Sequence, residues 1–149
     1  MKTFRVVTSF IVKAGRVLIL RRSGKVGSYR GKWSAISGYL EDHPLNQAYR
    51  EINEELSISG EDLKLLATGD PMEVLDEDLG VRWVVYPFLF EFIGEDSKIK
   101  LNWENLEAKW VKPEEIKELE TVPDLYRILR GLWAKAYQSP SGNGDLPQE

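Results

Sequence analysis

Three carboxylates, Glu51, Glu54 and Glu55, fall within five residues in the stretch Arg50 to Ile58, REINEELSI. At about 100° per residue on a helix they occupy an arc of about 100° along one flank. Glu51 and Glu55 form an i,i+4 like-charge pair, which is mildly destabilising. Glu54 and Glu55 also stand in the last turn, where the helix dipole disfavours anions by about 0.3–1 kcal/mol each. Arg50 reaches Glu54 at i+4 but cannot neutralise all three. Without a counter-charge the arrangement costs stability. A hard divalent cation reverses that sign, because clustered carboxylate oxygens are the donors that Mg²⁺ or Mn²⁺ takes. The plainer alternative is a solvated acidic face.

The rest of the composition narrows the chemistry. With no cysteine, disulfides, thiolate zinc sites and cysteine nucleophiles are excluded. His43 is the only histidine, so a two-histidine metal site is excluded too, and its place before Pro44 reads as a turn or cap. A net charge of −4 argues against a nucleic-acid footprint, which needs a basic face. At 42% hydrophobic and 30% charged residues the chain reads as globular. The longest apolar run, Trp83 to Phe90, is broken by Pro87 and too short to span a bilayer, so no membrane partner is expected. The N-terminus reads as a strand rather than a signal peptide, and the expected location is cytoplasmic.

Those carboxylates need elements to hold them. A helix is expected from Pro44 to about Ser57, with Leu45, Ala48, Ile52 and Leu56 on one apolar stripe. Strands are expected at Phe4–Val12 and Arg16–Leu20 around the turn KAG, and at Trp33–Ile36. Two long strands, Leu63–Leu75 and Val81–Ile93, flank the acidic turn DEDLG. Short ones follow at Ile99–Leu101 and Ala108–Val111. A second helix fits Pro123 to Tyr137. Residues 1–137 form one domain on this pattern, and QSPSGNGDLPQE (138–149) has the composition of a polar tail or linker. The fold class is α+β, a mixed curved sheet sandwiched between helices.

The stretch SGYLEDHPLNQAYREINEELSI resembles the signature box of the Nudix hydrolases. Gly38 opens it, and Arg50, Glu51, Ile52, Glu54, Glu55 and Ile58 occupy the positions of its second half. GKW (Gly31–Trp33) and ENLEAKWVKPEEI (Glu104–Ile116) resemble the family's flanking segments. The resemblance implies a Nudix fold and hydrolysis of a nucleoside diphosphate joined to another group, by water attack on phosphorus. It implies Mg²⁺ or Mn²⁺ held by Glu51, Glu54, Glu55 and the carbonyl of Ser37, with Arg50 orienting a glutamate. A small-molecule nucleotide is then the partner, and a homodimer is left open.

The box also departs from the family pattern. The loop from Gly38 to Arg50 is two residues shorter, and Asp42, with Glu41 beside it, stands where the pattern has a loop glutamate. Ser57 replaces a glycine, which suggests a helix end without the left-handed cap. The basic glycine-rich loop Arg21–Lys32 lacks the spacing of a Walker loop, yet Arg22, Lys25, Tyr29 and Arg30 could contact phosphates or stack on a base. Glu104, and less so Glu107, are candidates for an extra carboxylate near the metal. Trp33 reads as core, and Trp83, Tyr86 and Phe88 read as sheet packing on one face. The altered box keeps a second class open: a nucleotide-sensing or interaction module with weak catalysis.

Overall fold

Strand β1 (Lys2–Lys13) is the spine of the sheet. From Val7 to Val12 every residue is buried, which explains an apolar run without clean alternation. The computed structural model describes residues 1–137, so the 138–149 segment lies outside the described residues. Along one edge β1 runs parallel to β7 (Val81–Phe92), from Lys2↔Val81 to Val12↔Glu91. Along its other edge it changes partner. Val6–Ser9 pair with β4 (Ile36–Tyr39), whereas Ile11–Lys13 pair with β2 (Arg16–Arg22), both antiparallel. The sheet therefore forks at this edge. The β2 branch continues through β3 (Trp33–Ser34) and β8 (Asn105–Val111).

Two helices cover the two faces. α1 (Pro44–Leu56) packs Ala48, Ile52 and Leu56 against Val7, Ile11, Phe88 and Phe90. α2 (Leu125–Tyr137) packs Leu125, Leu129 and Leu132 against Phe10, Val12, Val85 and Leu89. This is the expected α+β sandwich. Full burial of Ile52 and Leu56 stabilises by about 1.5–3 kcal/mol each, which outweighs the few tenths to 1 kcal/mol that each crowded glutamate costs α1.

Several expectations change. The Leu63–Leu75 run is two strands, β5 (Leu63–Thr68) and β6 (Met72–Asp76), both antiparallel to β7. They break at Gly69, whose amide bonds the Pro87 carbonyl at 3.0 Å and where a Cβ would press on the Pro87 ring. Ala35 divides the expected Trp33–Ile36 strand into the ends of β3 and β4. Ile99–Leu101 is not a strand. Its neighbourhood caps α1 instead: the Lys100 amide donates to the Leu56 carbonyl (2.9 Å) and the Asn102 amide to the Glu55 carbonyl (3.2 Å). Trp83 does not share a face with Tyr86 and Phe88. The pleat sends it to the α2 side with Val85.

The α1 terminus is the clearest correction. Ser57 adopts φ 61° and ψ 27°, the left-handed cap that a non-glycine was expected to avoid. Its amide donates to the Asn53 carbonyl at 2.9 Å, so the cap forms at a steric cost of about 1–2 kcal/mol. Ser57→Gly should therefore stabilise the protein by about 0.5–1 kcal/mol, read as a higher melting temperature. A lower melting temperature would show that the cap is not strained.

Candidate active site

Where the sheet forks, a cavity of about 380 Å³ opens between the β1–β4 pair, the loop after β2 and the start of α2. Glu51 and Glu54 of α1 face it, as do Glu41, Glu104, Ser37 and Arg22. Among the described residues Arg22 is the only cation on its wall. Its inner end is apolar, formed by Val74, Trp83, Val85, Leu125 and Ile128.

Glu51 reaches the cavity because residue 38 has no side chain. A Cβ on Gly38 would overlap the Glu51 carboxylate, so any other residue there would push that side chain out of its present position. Gln47, one turn earlier, donates Nε2–H to Glu51 Oε1 at 3.0 Å and accepts the Glu41 amide on its own Oε1 at 3.2 Å. Burial pushes the Glu51 carboxyl up to about 7, with Gln47 opposing and Glu54, Glu104 and Glu41 adding.

Glu55 sits deeper, only 3% exposed. Asn105 Nδ2–H donates to its Oε1 at 3.0 Å, and its Oε2 is buried with no partner among the described residues. Burial, then the charge of Glu104, pushes its pKa well above the ordinary carboxylate value, while Asn105 and Arg22 pull the other way. Glu54 is exposed on the cavity wall.

Arg22 is half-buried, with Nε–H donating to the Ser28 carbonyl at 2.9 Å. Desolvation lowers its pKa, and Glu55 and Glu104 oppose that shift. Glu104 is fixed by Asn102, which donates to its carboxylate (3.3 Å) and accepts its amide (3.0 Å). Tyr29 has φ 50° and closes a polar chain: its hydroxyl donates to Asp76 Oδ2 at 2.6 Å and accepts from Trp83 Nε1 at 2.9 Å. Burial and the bond to Asp76 raise the phenol to about 12. Ser37 pairs with Thr8 across β4 and β1, their hydroxyls 3.0 Å apart.

Other candidates lie elsewhere. Asp42 does not line the cavity. Its Oδ2 accepts from Arg50 at 2.8 Å, so Arg50 holds the loop acid rather than a glutamate of the helix. Glu41 is the loop acid that faces inward. Arg30 is exposed and donates to the Val26 carbonyl (2.8 Å); Lys25 is exposed. Glu107 pairs with Arg21 at 3.4 Å. Gln47, Asn105, Asp76 and Trp103 complete the site without having been singled out. Gln47 was findable, at i−4 from Glu51. Asn105 meets Glu55 across fifty residues of sequence and had no local signal.

Among the described residues no three carboxylate or imidazole groups converge as a finished metal cage. The donors nevertheless suit a hard cation. Glu41, Glu51, Glu54 and Glu104 offer carboxylate oxygens on the wall, Glu55 Oε2 is buried without a partner among the described residues, and Glu51 presses into the space that Gly38 leaves. Such a set is unfavourable empty and favourable around a divalent ion.

The NUDIX domain family model matches residues 2–132. No curated protein matches the chain. Among solved structures, the MutT protein from Methanosarcina mazei Go1 is 23% identical, with a TM-score of 0.69 over 85% of this chain and 88% of its own. The E. coli dihydroneopterin triphosphate pyrophosphohydrolase is 21% identical, with a TM-score of 0.71 over 87% of this chain and 96% of its own. A bifunctional NMN adenylyltransferase/ADP ribose pyrophosphatase from Francisella tularensis, complexed with AMP and a Mn ion, is 19% identical. It gives a TM-score of 0.70 over 85% of this chain and 40% of its own. These likenesses establish a shared fold.

The raised carboxyl of Glu51 has a measurable sign. Its folded pKa of about 7 exceeds the ordinary 4.5, so folding favours the protonated form. That contribution is full below about pH 4.5 and is lost as pH rises through about 7. In chelator, the melting temperature of wild type should fall more between those limits than that of Glu51→Gln. Parallel curves would contradict the burial of this carboxylate.

Proposed function

The chain belongs to the Nudix hydrolase family, and from that premise we propose that it cleaves the diphosphate of a nucleoside diphosphate joined to another group. Water adds to one phosphorus, the bridging oxygen leaves with the other phosphoryl group, and one proton is released. The observation that carries this reading is the cavity's polarity: a carboxylate wall with one arginine, leading to an apolar inner end. A diphosphate suits the first and a weakly polar organic group the second.

Glu51, Glu54 and Glu55, with the Ser37 carbonyl, are the residues that would hold Mg²⁺ or Mn²⁺. A bound divalent ion would neutralise phosphate charge and acidify water. The remaining roles belong to the chain itself. Arg22 draws a phosphate oxygen, its guanidinium set by the Ser28 carbonyl and the nearby Glu104. Gln47 and Gly38 aim Glu51. Asn105 fixes the orientation of Glu55. Tyr29, held by Asp76 and Trp83, stands on the cavity wall beside the apolar lining. Asp42 acts at a distance by tying Arg50 to the loop, and Arg30 braces the glycine-rich segment through Val26.

A panel of nucleoside diphosphate derivatives with Mg²⁺ or Mn²⁺ tests this directly. At least one should yield a nucleoside monophosphate and the phosphorylated partner. Glu51→Gln should lower kcat by about 100-fold or more. Arg22→Ala should raise KM about tenfold, the scale of a hydrogen bond to a charged group. Asp42→Asn should stay within about threefold, because its exposed ion pair is worth under about 1 kcal/mol. Tight binding without turnover of any member would favour a nucleotide sensor instead.

A further inference from the structure

Trp103 is 60% exposed, yet it lines the same cavity as Glu51, Glu54 and Glu104. It belongs to neither core layer. A large apolar ring left in water is ordinary when it hangs from a loose surface loop. This one does not. Asn102 on one side is bonded through its amide to the Glu55 carbonyl (3.2 Å), and through its side chain to Glu104 (3.3 Å). On the other side the Glu104 amide donates to Asn102 Oδ1 (3.0 Å), and the Glu104 carbonyl accepts from the Ser23 amide (2.8 Å). Asn105, closing the turn, donates to Glu55 itself (3.0 Å). The backbone under Trp103 is thus bolted to the carboxylate helix on one side and to the start of the glycine-rich loop on the other. The ordering cost of the turn is met by folding, so a ligand contacting the ring has little further backbone to immobilise.

We infer that Trp103 is the platform on which a planar ring of the ligand stacks, on the solvent side of the carboxylates. This rests on the nucleotide reading of the cavity. The charges decide what kind of group the rim takes. Trp103 shares the wall with Glu41, Glu54 and Glu104, and Arg22, the single lining cation among the described residues, is tied to Ser28. A further phosphate beside Trp103 would meet uncompensated negative charge. An uncharged ring meets an aromatic face of its own width, and stacking of a base on such a face tolerates any base identity.

The test uses two non-cleavable probes with Mg²⁺: a dinucleoside methylenediphosphonate and methylenediphosphonate itself. Binding is read by calorimetry and tryptophan fluorescence, independently of turnover. Wild type should bind the dinucleoside probe with a fluorescence change that the ringless probe does not cause. Trp103→Leu should lose that change and weaken dinucleoside binding about tenfold, while leaving methylenediphosphonate binding unaltered. Trp103→Phe should recover most of the affinity. The exposed position makes unfolding of these variants unnecessary, and equal melting temperatures would verify it. Equal dinucleoside affinity in wild type and Trp103→Leu overturns the platform, as does equal loss for both probes. A dimer that dissociates in Trp103→Leu with affinity unchanged also overturns it, and assigns the ring to a contact between copies. If wild type binds neither probe, the nucleotide reading falls and the platform with it.

Discussion

A carboxylate buried at the end of a helix, with one oxygen unpartnered, is the condition around which this molecule is arranged. Glu55 lies where the α1 dipole is negative, beside Glu51 and Glu104, and among the described residues only Asn105 bonds its carboxylate. Burying a bare charge costs several kcal/mol after relaxation. The same burial, with the charge of Glu104, pushes the Glu55 pKa upward, toward the protonated form. A divalent ion would relieve that cost without the proton. The immediate surroundings serve either outcome: Asn102 and Asn105 hold the turn against Glu55, and Ser57 accepts a strained cap so that the helix stops there. Hydrophobic burial of Ile52 and Leu56 on the adjoining stripe supplies the stability that lets this flank remain unfavourable.

The fork in the sheet turns that local condition into a site. β1 gives half of one edge to β4 and the other half to β2, so the strands part beside Glu51 rather than closing over it. Gly38 sits on the diverging strand and leaves room for the carboxylate. The loop after β2 then folds across the opening, pinned by Arg22 to Ser28 and by Tyr29 to Asp76. One wall is therefore acidic and one end apolar because different layers of the sandwich supply them.

Periodicity made most of the fold legible. The α1 stripe, the α2 stripe and the strands β1, β2 and β7 are all set by burial, and burial is what periodicity reports. Gly69 and Pro71 marked the break between β5 and β6, but the apolar residues on either side read as one run. Ile99–Leu101 has strand composition, and lost that role because its backbone is needed at the end of α1. Trp83 was assigned to the wrong face because residues 83 and 86 differ in parity on a pleated strand. At the site, the three glutamates and Arg22 were visible from charge and spacing. Choosing between Glu41 and Asp42 required the turn geometry, which directs Asp42 outward to Arg50. Asn105 and Trp103 were invisible, since a contact across fifty residues leaves no trace in local pattern.

We propose that the buried carboxylate of Glu55 serves a divalent ion, and Mn²⁺ binding followed by electron paramagnetic resonance tests this most directly. Titrating Mn²⁺ into wild type should remove the free-ion signal with saturation, and Glu55→Gln should weaken that binding about tenfold or more while remaining folded. Equal Mn²⁺ affinity in wild type and Glu55→Gln would contradict the account.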